Sequence, residues 1–127
     1  MEKKIAFENF SKALKRLEEA VNEAQTELEI DGAIQRFEFT FEQAWKSLKA
    51  FLEDEGIICR SPKSCLKEAY AAGFIDNEQV WLKMLTDRNK SVHIYDMETS
   101  RKIFENIKQF YIQEFKNLEQ RLRSRMD

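Results

Sequence analysis

Apolar residues in the first quarter of the chain recur at the spacing of an α-helix. The steps between them alternate between three and four residues along Phe7, Phe10, Leu14, Leu17, Val21, Ala24 and Leu28. Residues at this spacing share one face of a helix, whereas a half-buried β-strand alternates apolar and polar residues. The pattern predicts one long amphipathic helix over residues 3–28.

Residues that turn the chain are scarce. The 127 residues include three glycines and one proline, while 43% are hydrophobic. So few turn residues favour long helices with short connections, and a chain of this length and apolar content can bury one core. We therefore expect a single helical domain over residues 1–127.

A second long helix is predicted between Asp31, a suitable N-terminal cap, and Gly56, which suits the left-handed position after a helix end. Its apolar stripe consists of Ile34, Phe37, Phe41, Ala44, Trp45, Leu48 and Phe51 or Leu52. Phe39 lies off this stripe and indicates a second apolar face. A helix with two such faces is central in a bundle or lies at a dimer interface.

Two shorter helices follow. Ser61 is suited to cap the third helix, Pro62 to occupy its first position, and Gly73 to end it. Asp76 is the predicted cap of the fourth helix, with Gln79 at capping-box spacing.

The last helix is predicted to start between residues 96 and 100 and to run to the C-terminus. Its core-facing residues are Ile103, Ile107, Phe110 or Tyr111, Phe115, Leu118 and Leu122. The arginines at 121, 123 and 125 suit the negative end of the helix dipole. The predicted fold is all-α: an antiparallel up-and-down bundle of about five helices, similar to a four-helix bundle and homodimeric.

Charge and apolar runs restrict the class of protein. The net charge of −2 argues against a general nucleic-acid binder and leaves room for a local basic site. The N-terminal stretch MEKKIAFENF lacks the apolar core of a signal peptide, and no run approaches the ~18 apolar residues of a membrane span. We expect a soluble, cytoplasmic protein without a membrane partner.

Cys59 and Cys65 are the two cysteines of the chain. Their spacing is not a usual zinc pattern, and a single histidine cannot complete a histidine-rich site. We predict two free thiols in a reducing compartment, and neither a metal nor a cofactor.

The stretch TDRNKSVHIYD, residues 86–96, contains the only histidine of the chain, His93, five residues after Arg88. On one continuous helix these two side chains would point roughly 140° apart. If the helix ends near Asn89, a loop can bring them together, and Asp96 can cap the next helix. The stretch is therefore predicted to lie at a helix–loop–helix junction.

Arg88 and His93 together suit cleavage of RNA by its own 2′-hydroxyl. Imidazole exchanges protons near neutral pH, and guanidinium binds phosphate oxygens. Such cleavage needs a base and an acid, and a symmetric dimer would supply two histidines. The residues alone leave a structural alternative open, in which His93 caps a helix and Arg88 pairs with Asp87 or Asp96.

Three longer segments carry a more specific pattern. They are RFEFTFEQAWKSLKAFLEDEG at 36–56, SPKSCLKEAYAAGFI at 61–75 and WLKMLTDRNKSVHIYD at 81–96. Together they resemble the bacterial and archaeal nucleotidyltransferase substrate-binding proteins, a family within the helical HEPN superfamily. The resemblance extends along nearly the whole chain.

This resemblance implies a role and a set of site residues. Relatives are helical homodimers that act with a minimal nucleotidyltransferase. Many are metal-independent ribonuclease toxins, and their partner is the antitoxin. The family motif Arg-x4-His-x-Tyr is matched by Arg88 and His93 as catalytic residues and by Tyr95 as the target of nucleotide transfer. Asn89 and Asp96 are the supporting residues.

Two alternatives remain beside the ribonuclease. The chain can be a non-catalytic subunit that binds a nucleotide or substrate and presents it to the nucleotidyltransferase. It can also be a structural helical dimer without a ligand. The first two functions share a protein partner and a homodimer, and they differ in what Arg88 and His93 do.

Overall fold

The computed structural model of the protein describes residues 2–93 and 96–126. Its α-helices are α1 (Lys3–Glu23), α2 (Glu27–Asp54), α3 (Pro62–Ala71), α4 (Glu78–Ser91), α5 (Met97–Asn106) and α6 (Ile112–Ser124). A π-helical segment, Ile107–Tyr111, joins α5 to α6, so these three run on as one helical rod. The described residues contain no strand, and the prediction of an all-α fold with five helical rods is confirmed.

The boundary between the first two helices differs from the prediction. The helix α2 begins after Thr26 rather than Asp31, because Thr26 and Glu29 form a capping box. The Thr26 hydroxyl accepts the Glu29 N–H at 3.2 Å, and the Glu29 carboxylate accepts the Thr26 N–H at 3.0 Å. Leu28, assigned from its spacing to the first helix, therefore lies on α2 and is 81% exposed.

The ends of α2 and α3 were predicted correctly. Gly56 follows α2 with φ +82°, and Gly73 follows α3 with φ +80°, a region that a side chain disfavours. Ser61 caps α3 and Pro62 is its first residue.

The cap of α4 is Asn77, one residue after the predicted Asp76. The Asn77 side-chain oxygen accepts the Val80 N–H at 3.3 Å. Asp76 instead accepts a hydrogen bond from Arg121 Nη2 at 2.7 Å, so its carboxylate binds the last helix rather than the start of α4.

The arginines of α6 connect the C-terminus to the end of α3. Arg121 and Arg125 both donate to the Gly73 carbonyl, and the Arg125 guanidinium lies 4.4 Å from the centre of the Phe74 ring. These two arginines therefore do more than complement the dipole of their own helix.

The central helix is α2, which packs against α1, α3, α4 and α5, while α1 also packs against α6. Two buried hydroxyls of α2 contact the backbone of α1. Ser47 donates to the Ala6 carbonyl at 2.8 Å. The Thr40 hydroxyl lies 3.2 Å from the Ala13 carbonyl and 2.7 Å from the Arg36 carbonyl of its own helix. The largest fully buried side chains are aromatic: Trp81, Tyr111, Phe10, Phe37, Phe41, Phe74 and Phe115. None of the described helices is long and apolar enough to cross a membrane.

The prediction of free thiols is wrong, because Cys59 and Cys65 form a disulfide. The capping turn at Ser61 reverses the chain ahead of α3 and brings the two Cα atoms to 5.1 Å. Both cysteines are buried, so the bridge lies under the connection between α2 and α3.

The π-helical segment resolves which aromatic residue faces the core. Ile107, Tyr111 and Phe115 follow one another at steps of four, and on a regular helix each such step turns about 40° past a full turn. The wider π turn absorbs this drift. All three residues are completely buried, whereas Phe110 is 51% exposed.

Candidate functional site

The predicted helix–loop–helix junction is present, and it lies between α4 and α5. Arg88 and Asn89 belong to the last turns of α4, which continues to Ser91 rather than ending near Asn89. His93 follows that end. Tyr95, the predicted modification target, lies outside the described residues.

Arg88 points towards α2. Its Nη1 lies 3.5 Å from Glu42 Oε2, and its guanidinium lies 5.5 Å from the centre of the Phe41 ring. Its Nε is buried and has no acceptor among the described residues. Arg88 pairs with neither Asp87 nor Asp96 in the described part of the chain, so this part of the structural alternative is absent.

The partner of Arg88 is shared with other donors. Glu42 also accepts a hydrogen bond from Trp45 Nε1 at 3.1 Å, and Lys46 Nζ lies 3.5 Å from its other oxygen. The ion pair between Arg88 and Glu42 is long, and the Glu42 carboxylate is shared with Trp45 and Lys46, so the pair contributes little to stability. The Arg88 guanidinium also keeps a donor, Nε, that no described residue uses.

His93 is exposed at the junction. Its backbone N–H donates to the Lys90 carbonyl at 3.0 Å, which closes the turn after α4. Its imidazole makes no hydrogen bond to any residue of the described ranges, so it caps neither neighbouring helix there. The ring is therefore accessible to a ligand.

A second contact fastens the end of α4 to α2. The Ser91 hydroxyl donates to the Glu38 carboxylate and to the Arg88 carbonyl. Glu38 and Glu42 are one turn apart on α2, and they hold residues that are about one turn apart on α4. The two helices therefore lie side by side at the candidate site.

Asp96 is the cap of α5, as predicted. Its carboxylate accepts hydrogen bonds from the Thr99 hydroxyl at 2.8 Å and from the Thr99 N–H at 3.2 Å. The hydroxyl bond is the main cause that lowers the pKa of Asp96 below its ordinary value. Asp96 thus fixes where the chain re-enters a helix after His93.

The other side of α4 carries a buried carboxylate. Asp87 Oδ2 accepts hydrogen bonds from the Tyr111 hydroxyl at 2.5 Å and from Asn106 Nδ2 at 3.1 Å. Burial, together with the nearby carboxylate, raises the pKa of Tyr111 well above its usual range. The Tyr111 phenol therefore stays protonated at neutral pH and donates its hydrogen bond to Asp87.

Two grooves lie on either side of the outward face of α2. One, of about 650 Å³, runs along the α4–α5 junction and is lined by Leu28, Asp31, Glu38, Ser91, Val92 and Met97, among others. The other, of about 480 Å³, lies between α1 and α2 and is lined by Ala13, Arg16, Gly32, Gln35, Arg36 and Phe39. Phe39, between them, is 56% exposed, so the second apolar face predicted for α2 is uncovered within one chain.

No group of three or more histidine, cysteine, aspartate or glutamate residues in the described ranges is arranged to hold a metal ion.

Comparison with known proteins identifies the family. The family described as nucleotidyltransferase substrate binding protein like matches residues 5–124. The chain belongs to this family. The resemblance that the motif and its flanking segments indicated is thereby confirmed.

One protein similar to this chain is named as a ribonuclease. The Haemophilus influenzae protein called probable ribonuclease HepT is 34% identical over 96 residues. The matched region covers 72% of this chain and 66% of that protein, so the chain spans about two thirds of the relative's length.

Two solved structures share the fold. A crystal structure of a Thermus thermophilus protein is 37% identical, with a TM-score of 0.84 over 90% of this chain and 98% of that one. A Haemophilus influenzae structure is 27% identical, with a TM-score of 0.82 over 92% and 98%. The latter is described as revealing the fold of a substrate binding domain of a nucleotidyltransferase.

Four of the predicted site residues lie in the described part of the α4–α5 junction: Arg88, Asn89, His93 and Asp96. Arg88 and His93 lie five residues apart around one junction, and no contact between their side chains is present. Sequence reasoning missed the contact of Glu42 with Arg88 and the buried contact of Asp87 with Tyr111. The only local signal for Asp87 is its place at the inward spacing set by Met84.

Proposed function

We propose that the chain is the helical partner of a minimal nucleotidyltransferase and, when unmodified, a metal-independent endoribonuclease. The observation that carries the proposal is the state of the two motif residues. Arg88 makes a long, shared ion pair and lies over the Phe41 ring, and His93, five residues further on, is exposed without a structural partner in the described ranges. A guanidinium with a long ion pair and an accessible imidazole at the same helix junction are suited to a phosphodiester.

The proposed reaction is transesterification at phosphorus. A histidine takes the proton of the RNA 2′-hydroxyl, and the resulting oxygen attacks the adjacent phosphorus. The bond from phosphorus to the 5′-oxygen breaks, and a second histidine protonates that oxygen. Arg88 binds the phosphate oxygens whose negative charge grows in the transition state. The products are a 2′,3′-cyclic phosphate and a 5′-hydroxyl.

A homodimer would supply the second histidine, because each chain has one. Leu28 and Phe39 give the outward face of α2 an exposed apolar surface suited to a second copy. A two-fold axis perpendicular to α2 would keep the α4–α5 side of one copy opposite the same side of the other. Both copies of Arg88 and His93 would then line one cleft.

Tyr95 is the proposed point of control. Its phenol oxygen would attack the α-phosphorus of a nucleoside triphosphate held by the nucleotidyltransferase, with loss of the phenolic proton and release of pyrophosphate. The attached nucleotidyl group adds bulk and negative charge two residues from His93. RNA would then be excluded from the cleft by size and by repulsion.

Cleavage by the isolated chain tests the proposal. The protein is purified without its partner, its unmodified mass is verified, and it is incubated with RNA in the presence of a chelator. We expect cleavage that His93→Ala reduces by about 100-fold or more, because the general acid–base residue is lost. Lys90→Ala, an exposed change in the same turn, is the matched control and should retain activity.

The substrate-presenting subunit is the second candidate, favoured by the description of the Haemophilus influenzae structure. If the unmodified chain cleaves no RNA, and instead binds nucleotide or raises the rate at which the nucleotidyltransferase modifies another molecule, this second function replaces the first.

A further inference from the structure

Asp87 is the only charged residue that is buried among the described residues, and it lies directly before Arg88. Its carboxylate is held by the Tyr111 hydroxyl and the Asn106 amide, which are both neutral donors. Burying a carboxylate is costly even when its oxygens are hydrogen-bonded. An apolar side chain would attach α4 to the core at lower cost, so simple packing does not explain an aspartate here.

The helix on the far side departs from regular geometry to reach this carboxylate. Asn106 ends α5, and Tyr111 ends the π-helical segment that follows. The π turn directs Tyr111 inward, where its ring also stacks on Phe37 at 5.5 Å between centroids. Single π turns inside α-helices are frequently found at functional sites.

The last turns of α4 are therefore held from two directions. Asp87 contacts the α5–α6 rod, while Arg88, whose side chain points about 100° away around the helix, faces α2. The contact through Asp87 is short and buried, and the contact through Arg88 is long and shared. The contact through Asp87 is therefore the firmer of the two.

We infer that Asp87 is a positioning residue, and that its contact with Tyr111 sets the direction in which Arg88 meets phosphate. This inference rests on the proposed ribonuclease function. Its chemical basis is orientation, since a misplacement of about 1 Å in a binding group costs on the order of 100-fold in rate.

Tyr111→Phe tests the inference, because it removes only the hydroxyl and keeps the stacked ring. Ser47→Ala is the matched control, since it also deletes a buried hydroxyl, but one that donates to α1. We expect Tyr111→Phe to lower kcat by about tenfold or more with KM within about twofold, and Ser47→Ala to leave both unchanged. Asn106→Ala, at the partly exposed edge of the cluster, is the second variant should Tyr111→Phe not fold.

A double-mutant cycle separates positioning from general stability. If Asp87 and Tyr111 act through Arg88, Tyr111→Phe should have no further effect on kcat in an Arg88→Ala protein, while its effect on the denaturation midpoint should persist. Equal fold losses of kcat in both backgrounds would overturn the inference.

The Nε–Hε NMR signal of Arg88, assigned by its loss in Arg88→Lys, gives a readout that needs no activity. We expect Tyr111→Phe to shift or broaden this signal and Ser47→Ala to leave it in place. An unchanged Arg88 signal in Tyr111→Phe overturns the inference whether or not RNA is cleaved. If the wild type has no ribonuclease activity but Tyr111→Phe still shifts the Arg88 signal, the positioning role of Asp87 is supported and only the proposed reaction is overturned.

Discussion

Two neighbouring residues of the candidate site, Asp87 and Arg88, differ in how firmly their side chains are bound by the rest of the protein. Arg88 has a long ion pair to Glu42 and a buried Nε without an acceptor in the described ranges, whereas its neighbour Asp87 accepts one short hydrogen bond and one of ordinary length. A residue that must exchange a protein partner for a phosphate needs the first kind of environment. A residue that must not move needs the second.

Glu42→Gln should strengthen the binding of RNA. The change removes a negative charge that competes with phosphate for Arg88, and the glutamine oxygen can still accept the Trp45 indole N–H. Because a partly exposed pair contributes at most about 1 kcal/mol, we expect a gain of no more than about fivefold in affinity for a 2′-deoxy-substituted oligonucleotide, measured by anisotropy. Weaker binding would show that Glu42 holds Arg88 in its productive position.

Asp96 should make the start of α5 sensitive to acid. The pKa of Asp96 is lowered in the folded state. At pH values near and below about 4, the folded protein therefore binds fewer protons than the unfolded chain, and its stability increases as the pH rises. The contribution is complete at neutral pH and is lost below about pH 4.

Asp96→Asn isolates this effect, because asparagine can cap a helix but does not titrate there. We expect the difference in urea midpoint between the wild type and Asp96→Asn to be present at pH 7 and to shrink as the pH falls below about 4. Glu29, whose pKa is also lowered, titrates in both proteins and cancels. A difference independent of pH would contradict this origin.

At the scale of the elements, the limits of sequence reasoning have physical causes. The spacing of Ala24 and Leu28 continues the pattern of α1, yet the backbone of Ala24 is extended and ends the helix. The capping box at Thr26 and Glu29 can be recognised in the sequence, but the regular spacing of the apolar residues favoured a continuous helix there. Glycine and proline signals, which depend on the local backbone alone, located the ends of α2 and α3 correctly.

Contacts between distant elements were beyond such signals. Glu42 reaches Arg88 from another helix, and Tyr111, at the end of the π turn, meets Asp87 of α4. The disulfide between Cys59 and Cys65 similarly follows from a chain reversal that the cysteine spacing does not reveal. The motif could be proposed from the sequence because its residues are close together and its flanking segments resemble a known family.

For the molecule as a whole, the described surface is uneven. The outward face of α2 exposes Leu28 and Phe39 beside the α4–α5 junction, where Val92 is also exposed. The other exposed large apolar side chains are spread over other parts of the described surface: Ile5, Ile58, Tyr70 and Phe110. An exposed apolar face next to a site with one histidine per chain is the arrangement that a composite dimeric site requires.

Phe39→Glu should therefore separate assembly from folding. On the proposed dimer it places two charges in an apolar contact, whereas in the single chain Phe39 is 56% exposed and contributes little to the core. We expect the denaturation midpoint measured at low protein concentration to stay near the wild-type value, the sedimentation mass to fall from dimer to monomer, and RNA cleavage to be lost with it. Tyr70→Glu is the matched control, because Tyr70 is an aromatic residue on α3 that is 49% exposed. A Phe39→Glu monomer that cleaves RNA as fast as the wild type would show that one chain holds a complete site, and His93 would then need a second proton carrier from within its own chain.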